Sequence, residues 1–288
     1  MSRIAYVNGR YLPQRDAQVN IEDRGYQFAD AIYEVVHLYN GRFIDEKRHL
    51  DRLERSLGEI ALPMPMKRAA LVHVLHEVAR RNRLSEGLLY MQVSRGVARR
   101  DHAFPSKSVP PALVVTIRRI PPYPATIDGW GGAAITHPDL RWARRDIKST
   151  ALLPNVLARQ AARERGAIEA VLYEADGTVT EGAATSFWIV DKAGTLRTRQ
   201  LGEQILPGCT RGALMALMQE EGVAFQEGPY TLEDVRGARE AFITSATSFV
   251  KPILKIDGAR VGDGTPGPIT RKLFDLFALH VKGLPNAA

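Results

Sequence analysis

Three prolines fall within eight residues at RIPPYPAT (119–126), and such a stretch is stiff and extended and cannot continue a helix or a central strand. It divides the 288 residues into two segments, each of ordinary domain size. The expected layout is a domain over 1–118, a linker over 119–131 and a domain over 132–288.

The first segment begins as strands. In IAYVNGRYL and YEVVHLYNGRFI an Asn-Gly pair, Asn8-Gly9 and Asn40-Gly41, sits between apolar runs, a strong hairpin signal. A helix is expected at about 46–60, with Leu50, Leu53 and Leu57 on one face, and another at 67–82, carrying Ala70, Leu71, Val74, Leu75 and Val78. GLLYMQVSRG and PALVVTIRR read as strands.

The second segment mixes types. A strand near 132–136 leads to a helix at about 150–165. IEAVLYE, GTVTE and SFWIV read as a meander turning at Asp176-Gly177. A helix starts near Gly208, and a short one at Thr231, where TLED has the shape of a capping box with Asp for the usual Glu. Strands EAFITS and KPILKID and a last helix, PITRKLFDLFALHV, complete the chain. GDGTPG (262–267) matches a dinucleotide-binding glycine pattern literally. Only 21 residues follow it, too few for a βαβ unit, so it is read as a turn.

Composition excludes several classes. With 45% hydrophobic and 25% charged residues the chain can build a core and is not disordered. The net charge of +7 comes from 39 basic residues set among 32 acids, as in DEKRHLDRLERS (45–56). No basic stripe with interleaved aromatics is present, so nucleic acid is not expected, whereas small anionic ligands are. No apolar run has the length of a membrane span, and MSRIAYVNGRYLPQ lacks an apolar signal core. The one cysteine, Cys209, can make no internal disulfide, which fits a reducing, cytoplasmic setting. The seven histidines show no metal-ligand spacing, so no metal is expected.

Five stretches hold chemistry. In RWARRDIKSTALLPNVLARQAAR (141–163) Lys148 lies at a strand-to-helix transition beside Arg144 and Arg145. Burial and neighbouring positive charge favour a neutral, nucleophilic amine able to form a Schiff base, although a solvated basic face would look the same. TVTEGAATSFWIV (178–190) puts Glu181 at a strand end, either to meet a protonated ring nitrogen or as a plain edge acid. LPGCTRG (206–212) opens a helix whose backbone N–H groups can cradle a phosphate, with Cys209 and Thr210 in the first turn. ITSATSFV (243–250) is a small, hydroxyl-rich loop of the kind that lets backbone approach an anion. RRDHAFP (99–105) sets Arg100 and His102 two apart in an extended segment, so both side chains point the same way and can grip a carboxylate.

Taken together and in this order, these motifs resemble the class IV aminotransferases, the fold type IV pyridoxal phosphate enzymes, and within them the D-amino acid branch. The resemblance also covers DRGYQFADAIYEVV (23–36), HLDRLERS (49–56), ILPGCTRG (205–212) and GDGTPGPITRKL (262–273), nearly the whole chain. It implies an α/β and α+β architecture of two domains, a smaller N-terminal α+β domain and a larger C-terminal α/β pseudo-barrel domain. It implies a pyridoxal 5'-phosphate cofactor held by Lys148 as a Schiff base, with Glu181 on the pyridine nitrogen and Arg52 on the phosphate. Cys209, Thr210, Ala246 and Thr247 would complete the phosphate cup, and Ser186 would also touch the cofactor. Tyr33, Arg100 and His102 would bind the substrate carboxylate, the last two reaching in from a partner subunit of a homodimer.

The activity so implied moves the amino group of a D-amino acid such as D-alanine to a 2-oxo acid such as 2-oxoglutarate. Aminodeoxychorismate lyase and branched-chain or amine transaminases share the fold and are the alternatives. Branched-chain enzymes carry a tyrosine five residues after the lysine, where this chain has Leu153. Ala29 and Ala31 replace glycines common in the family, Ser186 an asparagine and Phe249 an acid.

Overall fold

A computed structural model describes residues 3–283. Two compact units are present. One holds the described residues up to Pro122 together with Ile147–Ala151; the other holds Tyr123–Asp146 and everything described from Leu152 on.

The first unit is a six-stranded antiparallel sheet carrying helices. β1 (Ile4–Val7) and β2 (Arg10–Pro13) form a hairpin, as do β3 (Ala31–Tyr39) and β4 (Arg42–Phe43). Both turn on their Asn-Gly pair, with φ of 45° and 91° at Asn8 and Gly9 and of 47° and 76° at Asn40 and Gly41. Two successive left-handed residues match the twist of the strands they join. Between the hairpins lies α1 (Arg24–Phe28); after them come α2 (Glu46–Glu59), α3 (Arg68–Arg81), β5 (Gly87–Ser94) and β6 (Ala112–Arg118). The strand order is β2-β1-β6-β5-β3-β4. Leu50, Leu53 and Leu57 of α2 and Leu71, Leu75 and Val78 of α3 meet Ile32, Val36, Met91 and Val115 of the sheet in one core. The opposite edge of that α2 face is polar: His49, Arg52 and Ser56, three and four residues apart, are all buried.

The second unit comprises β7 (Gly132–Pro138), α4 (Leu153–Glu164), β8 (Glu169–Tyr173), β9 (Val179–Gly182), β10 (Ser186–Val190), β11 (Leu196–Thr198), α5 (Cys209–Glu220), β12 (Gln226–Glu227), α6 (Leu232–Arg236), β13 (Glu240–Ser245), β14 (Phe249–Ile256), β15 (Ala259–Arg260) and α7 (Pro268–Lys282). Its nine-stranded mixed sheet runs β12-β11-β10-β13-β14-β7-β8-β9, with β15 on β14. α4 connects the parallel pair β7 and β8, burying Ala158 and Ala162 against Ile135 and Leu172. Helices α5 and α7 lie on β13 and β14. Thr231 caps α6 with Asp234 in the reciprocal capping box. GDGTPG is the turn that enters α7, with Gly262 and Gly264 both left-handed.

The units differ from the expected layout, whose outer limits at 1 and 288 lie outside the described residues. Residues 119–131 are no separate linker. The Tyr123 hydroxyl and Trp130 Nε1 both donate to the Val250 carbonyl of β14, at 3.1 and 3.2 Å, which ties 123–131 into the second unit, while 119–122 stay with the first. Ile147–Ala151 leaves the C-terminal segment for the first unit because its backbone pairs with β3. Tyr33 N–H donates to the Lys148 carbonyl and Thr150 N–H to the Ala31 carbonyl, each at 3.0 Å, and Ile147 joins the first core. That pairing also delays α4, which starts at Leu153 rather than near 150. The five-residue α1 has no apolar period to announce it; Asp23 nucleates it by accepting from Gly25 N–H at 2.8 Å.

Candidate active site

The backbone bonds that hold Ile147–Ala151 against β3 bring Lys148 to Tyr33. Lys148 Nζ lies 3.4 Å from the Tyr33 hydroxyl and 4.3 Å from its ring centroid. Tyr33 stacks on Tyr90 at 5.8 Å, and burial, with Tyr33 alongside, pushes the Tyr90 phenol up to about 12. Arg144 and Arg145, expected to press positive charge on the lysine, are instead matched by acids. Arg144 bonds Asp146 at 3.0 Å, and Arg145 bonds Glu174 at 2.9 Å and lies 3.4 Å from Asp139. Those two arginines are therefore each paired with acids in the fold.

Beside Tyr33 on β3, strand alternation turns Glu34 the other way, into the first core. There Arg52 grips it with two parallel bonds, Nε to Oε1 at 2.7 Å and Nη2 to Oε2 at 2.8 Å, and His49 Nδ1 meets Oε2 at 2.7 Å. Burial alone would raise the Glu34 carboxyl. The guanidinium and the His49 bond prevail and hold it at about 2. The plane of the Arg52 guanidinium is thus set by a carboxylate, which is how a single cation is kept aimed.

In the second unit Glu181 is the last residue but one of β9, almost fully buried. Arg141 Nη1 donates to it at 2.6 Å and Leu206 N–H at 3.1 Å. Burial still lifts its carboxyl above the ordinary range, with Arg141 pulling the other way. Arg141 is itself held by Asp139, which accepts from its Nε and Nη2 at 2.9 and 2.7 Å and from Thr180 Oγ1 at 2.7 Å. Just past Glu181, Asn155 of α4 donates to the Ala183 carbonyl at 2.6 Å, and Thr185 donates to the buried Glu169 at 3.0 Å.

Ser186, buried, opens β10. Gly208 caps α5, and Cys209 and Thr210, both buried, form its first turn. A Cβ on Gly208 would stand 2.7 Å from Ser186 Oγ and 3.2 Å from Arg211 Cβ, so a larger residue there would have to displace the Ser186 hydroxyl. The turn from β13 to β14 holds Ala246 and Thr247. Ser245 Oγ lies 2.9 Å from both Thr247 Oγ1 and Ser248 Oγ. Phe249 follows at φ 48°.

Arg100 and His102 are exposed on the loop after β5, and both lie against the Phe28 ring. Sequence reading missed Glu34, His49, Asp139 and Arg141. Glu34 and His49 carry only the signal of charged residues at core positions; Arg141 carries none, being 40 residues from the carboxylate it holds.

Residues 31–256 match the model of the family described as amino-transferase class IV. The chain is 40% identical over 276 residues to a D-alanine aminotransferase of Listeria monocytogenes serotype 4b (strain F2365), covering 96% of this chain and 95% of that one. It is 36% identical over 278 residues to a D-alanine aminotransferase of Staphylococcus haemolyticus, covering 96% and 97%. The solved structure of the T.th. branched-chain amino acid aminotransferase with pyridoxamine 5'-phosphate matches with a TM-score of 0.89 at 22% identity, covering 99% of this chain and 96% of that one, a likeness of fold. The chain belongs to the class IV aminotransferases.

The residues present fit pyridoxal 5'-phosphate, the cofactor that the resemblance implies for this family. Glu181 is a carboxyl buried deeply enough to favour a cationic partner, as a protonated pyridine nitrogen is. The glycine-capped start of α5 is shaped for an anion. Lys148 is the amine set beside an aromatic hydroxyl.

Proposed function

We infer that this aminotransferase moves the amino group of a D-amino acid such as D-alanine to a 2-oxo acid such as 2-oxoglutarate. The approach of Lys148 Nζ to the Tyr33 hydroxyl, at 3.4 Å, carries the reading: it sets a nucleophilic amine beside a donor suited to a substrate carboxylate. The two D-alanine aminotransferases above support the D-configuration by their identity over nearly the full chain.

When bound, the cofactor supplies an aldehyde that carries the amino group and a pyridinium ring that stabilises negative charge at the α-carbon. Lys148 would hold the cofactor through its Nζ, and the same amine, when free, would take the α-hydrogen as a proton. Glu181 keeps the proton on the pyridine nitrogen. Arg52, the start of α5 at Cys209 and Thr210, and the turn at Ala246 and Thr247 hold the phosphate, with Ser186 beside them. Tyr33, Arg100 and His102 bind the substrate carboxylate and so choose which α-hydrogen faces the base.

Arg100 and His102 serve the site of a second copy, so the working enzyme is a homodimer in the cytoplasm. Exposed Ile21, Tyr26, Val97 and Phe104, on α1 and the loop that carries the pair or just before them, are apolar side chains suited to an interface with that copy. Lys148→Ala tests the assignment. Steady turnover with D-alanine is abolished; turnover near the wild-type rate would remove Lys148 from its role.

A further inference from the structure

The Phe28 ring has two guanidinium groups and an imidazole around it, and two of these three belong to the pair assigned above to the substrate carboxylate. The Arg100 guanidinium lies 5.0 Å from the ring centroid, the His102 ring 5.4 Å at a 57° tilt, and the Arg24 guanidinium 4.7 Å. Arg24 is buried, and its Nη1 donates to the carbonyl of Asp101, the residue between Arg100 and His102. Its Nε donates at 2.8 Å to Asp30, whose same oxygen accepts from Arg95 Nε at 2.7 Å. Arg95 in turn donates to the Ile60 and Ala61 carbonyls and lies 3.7 Å over the Phe104 ring. Backbone bonds fix where the loop leaves the sheet: Arg24 N–H donates to the Gly96 carbonyl at 3.0 Å, and Val97 bridges Asp23.

We propose that Phe28 is a positioning residue for the carboxylate of the amino donor and of the 2-oxo acid acceptor: its ring is the platform that orders Arg100 and His102 before substrate arrives, with Arg24 setting the height of the loop through Asp101. Exposed arginines sample many rotamers, and freezing one on binding costs affinity. A ring face attracts a guanidinium electrostatically and narrows that search in advance. Phe28 ends α1, so the platform is fixed by the Asp23 cap and by the left-handed turn at Ala29, φ 56°. The inference rests on the reading that Arg100 and His102 grip the carboxylate.

The test uses the holoenzyme with Phe28→Leu, Phe28→Tyr and Arg100→Ala. Phe28→Leu keeps apolar volume and removes the ring face. It raises KM for D-alanine and for 2-oxoglutarate roughly tenfold, changes kcat by less than about threefold, and leaves the visible spectrum of the bound cofactor as in wild type. Phe28→Tyr restores KM to near the wild-type value, which a merely space-filling role would not separate from Leu. Unchanged KM in Phe28→Leu, with KM raised in Arg100→Ala, overturns the platform and leaves the carboxylate reading standing. Unchanged KM in Arg100→Ala overturns both. If Phe28→Leu does not fold, Phe28→Met replaces it under the same criteria.

Discussion

Arg141 donates to Glu181 across 2.6 Å while Asp139 takes two more N–H groups of the same guanidinium. The cation is therefore anchored from behind and presented to a carboxyl that burial would otherwise drive towards its neutral form. The proposed role of Glu181 calls for its ionised form, and Arg141 is the residue that favours it.

Arg141→Met removes the group that lowers the Glu181 pKa, so that pKa rises further. The ionised form then requires a higher pH. The acidic limb of the kcat profile moves up in pH, and kcat at pH 7 falls by about tenfold or more. An acidic limb at the wild-type position would show that Arg141 does not govern Glu181.

Glu181→Gln keeps the shape but cannot hold the ring nitrogen's proton. Single-turnover proton removal slows by about a hundredfold or more, while the apoprotein still takes up cofactor. Wild-type single-turnover rates would show that ring protonation does not limit the reaction.

Arg100→Ala removes a charged partner of the substrate carboxylate. KM for D-alanine rises by about ten- to a hundredfold, the size of a lost charge-assisted bond. Steady-state kinetics on the variant decide it, and an unchanged KM removes Arg100 from the substrate site.

Glu34 contributes to acid stability. Its folded pKa is about 2, below the ordinary 4.5, so its contribution is full above about pH 4.5 and is lost as pH falls towards 2. The shift corresponds to about 3 kcal/mol. Glu34→Gln lowers stability at pH 7 by about that amount and flattens the fall in Tm between pH 5 and 2. A wild-type acid slope in the variant contradicts the assignment.

Ala29 closes α1 at φ 56°, a conformation that glycine adopts without a Cβ clash. Ala29→Gly raises stability by about 1 kcal/mol, read as a higher Tm; a lower Tm would mean that the turn is not strained.

Local chemistry was legible in the sequence, and pairing at a distance was not. Asn8-Gly9, Asn40-Gly41 and the TLED cap announce themselves because each needs only its own few residues. Capture of Ile147–Ala151 by β3 could not be read, since its bonds run to Ala31, Tyr33 and Ser56, far back in the chain. The pairing of Arg145 beside Lys148 was hidden for the same reason: its acid partners Asp139 and Glu174 become visible only in the fold. Glu34 looked like one position in a strand, and its burial against Arg52 needs α2 packed on β3. The family motifs pointed to Lys148, Glu181 and Arg52, but not to the groups that aim them.

Mixing the yellow holoenzyme with single enantiomers, without an acceptor, tests the activity most directly. D-alanine bleaches the cofactor's visible band within the turnover time and releases pyruvate in equal amount, while L-alanine and L-leucine leave the band standing. Bleaching by L-leucine and not by D-alanine would contradict the account.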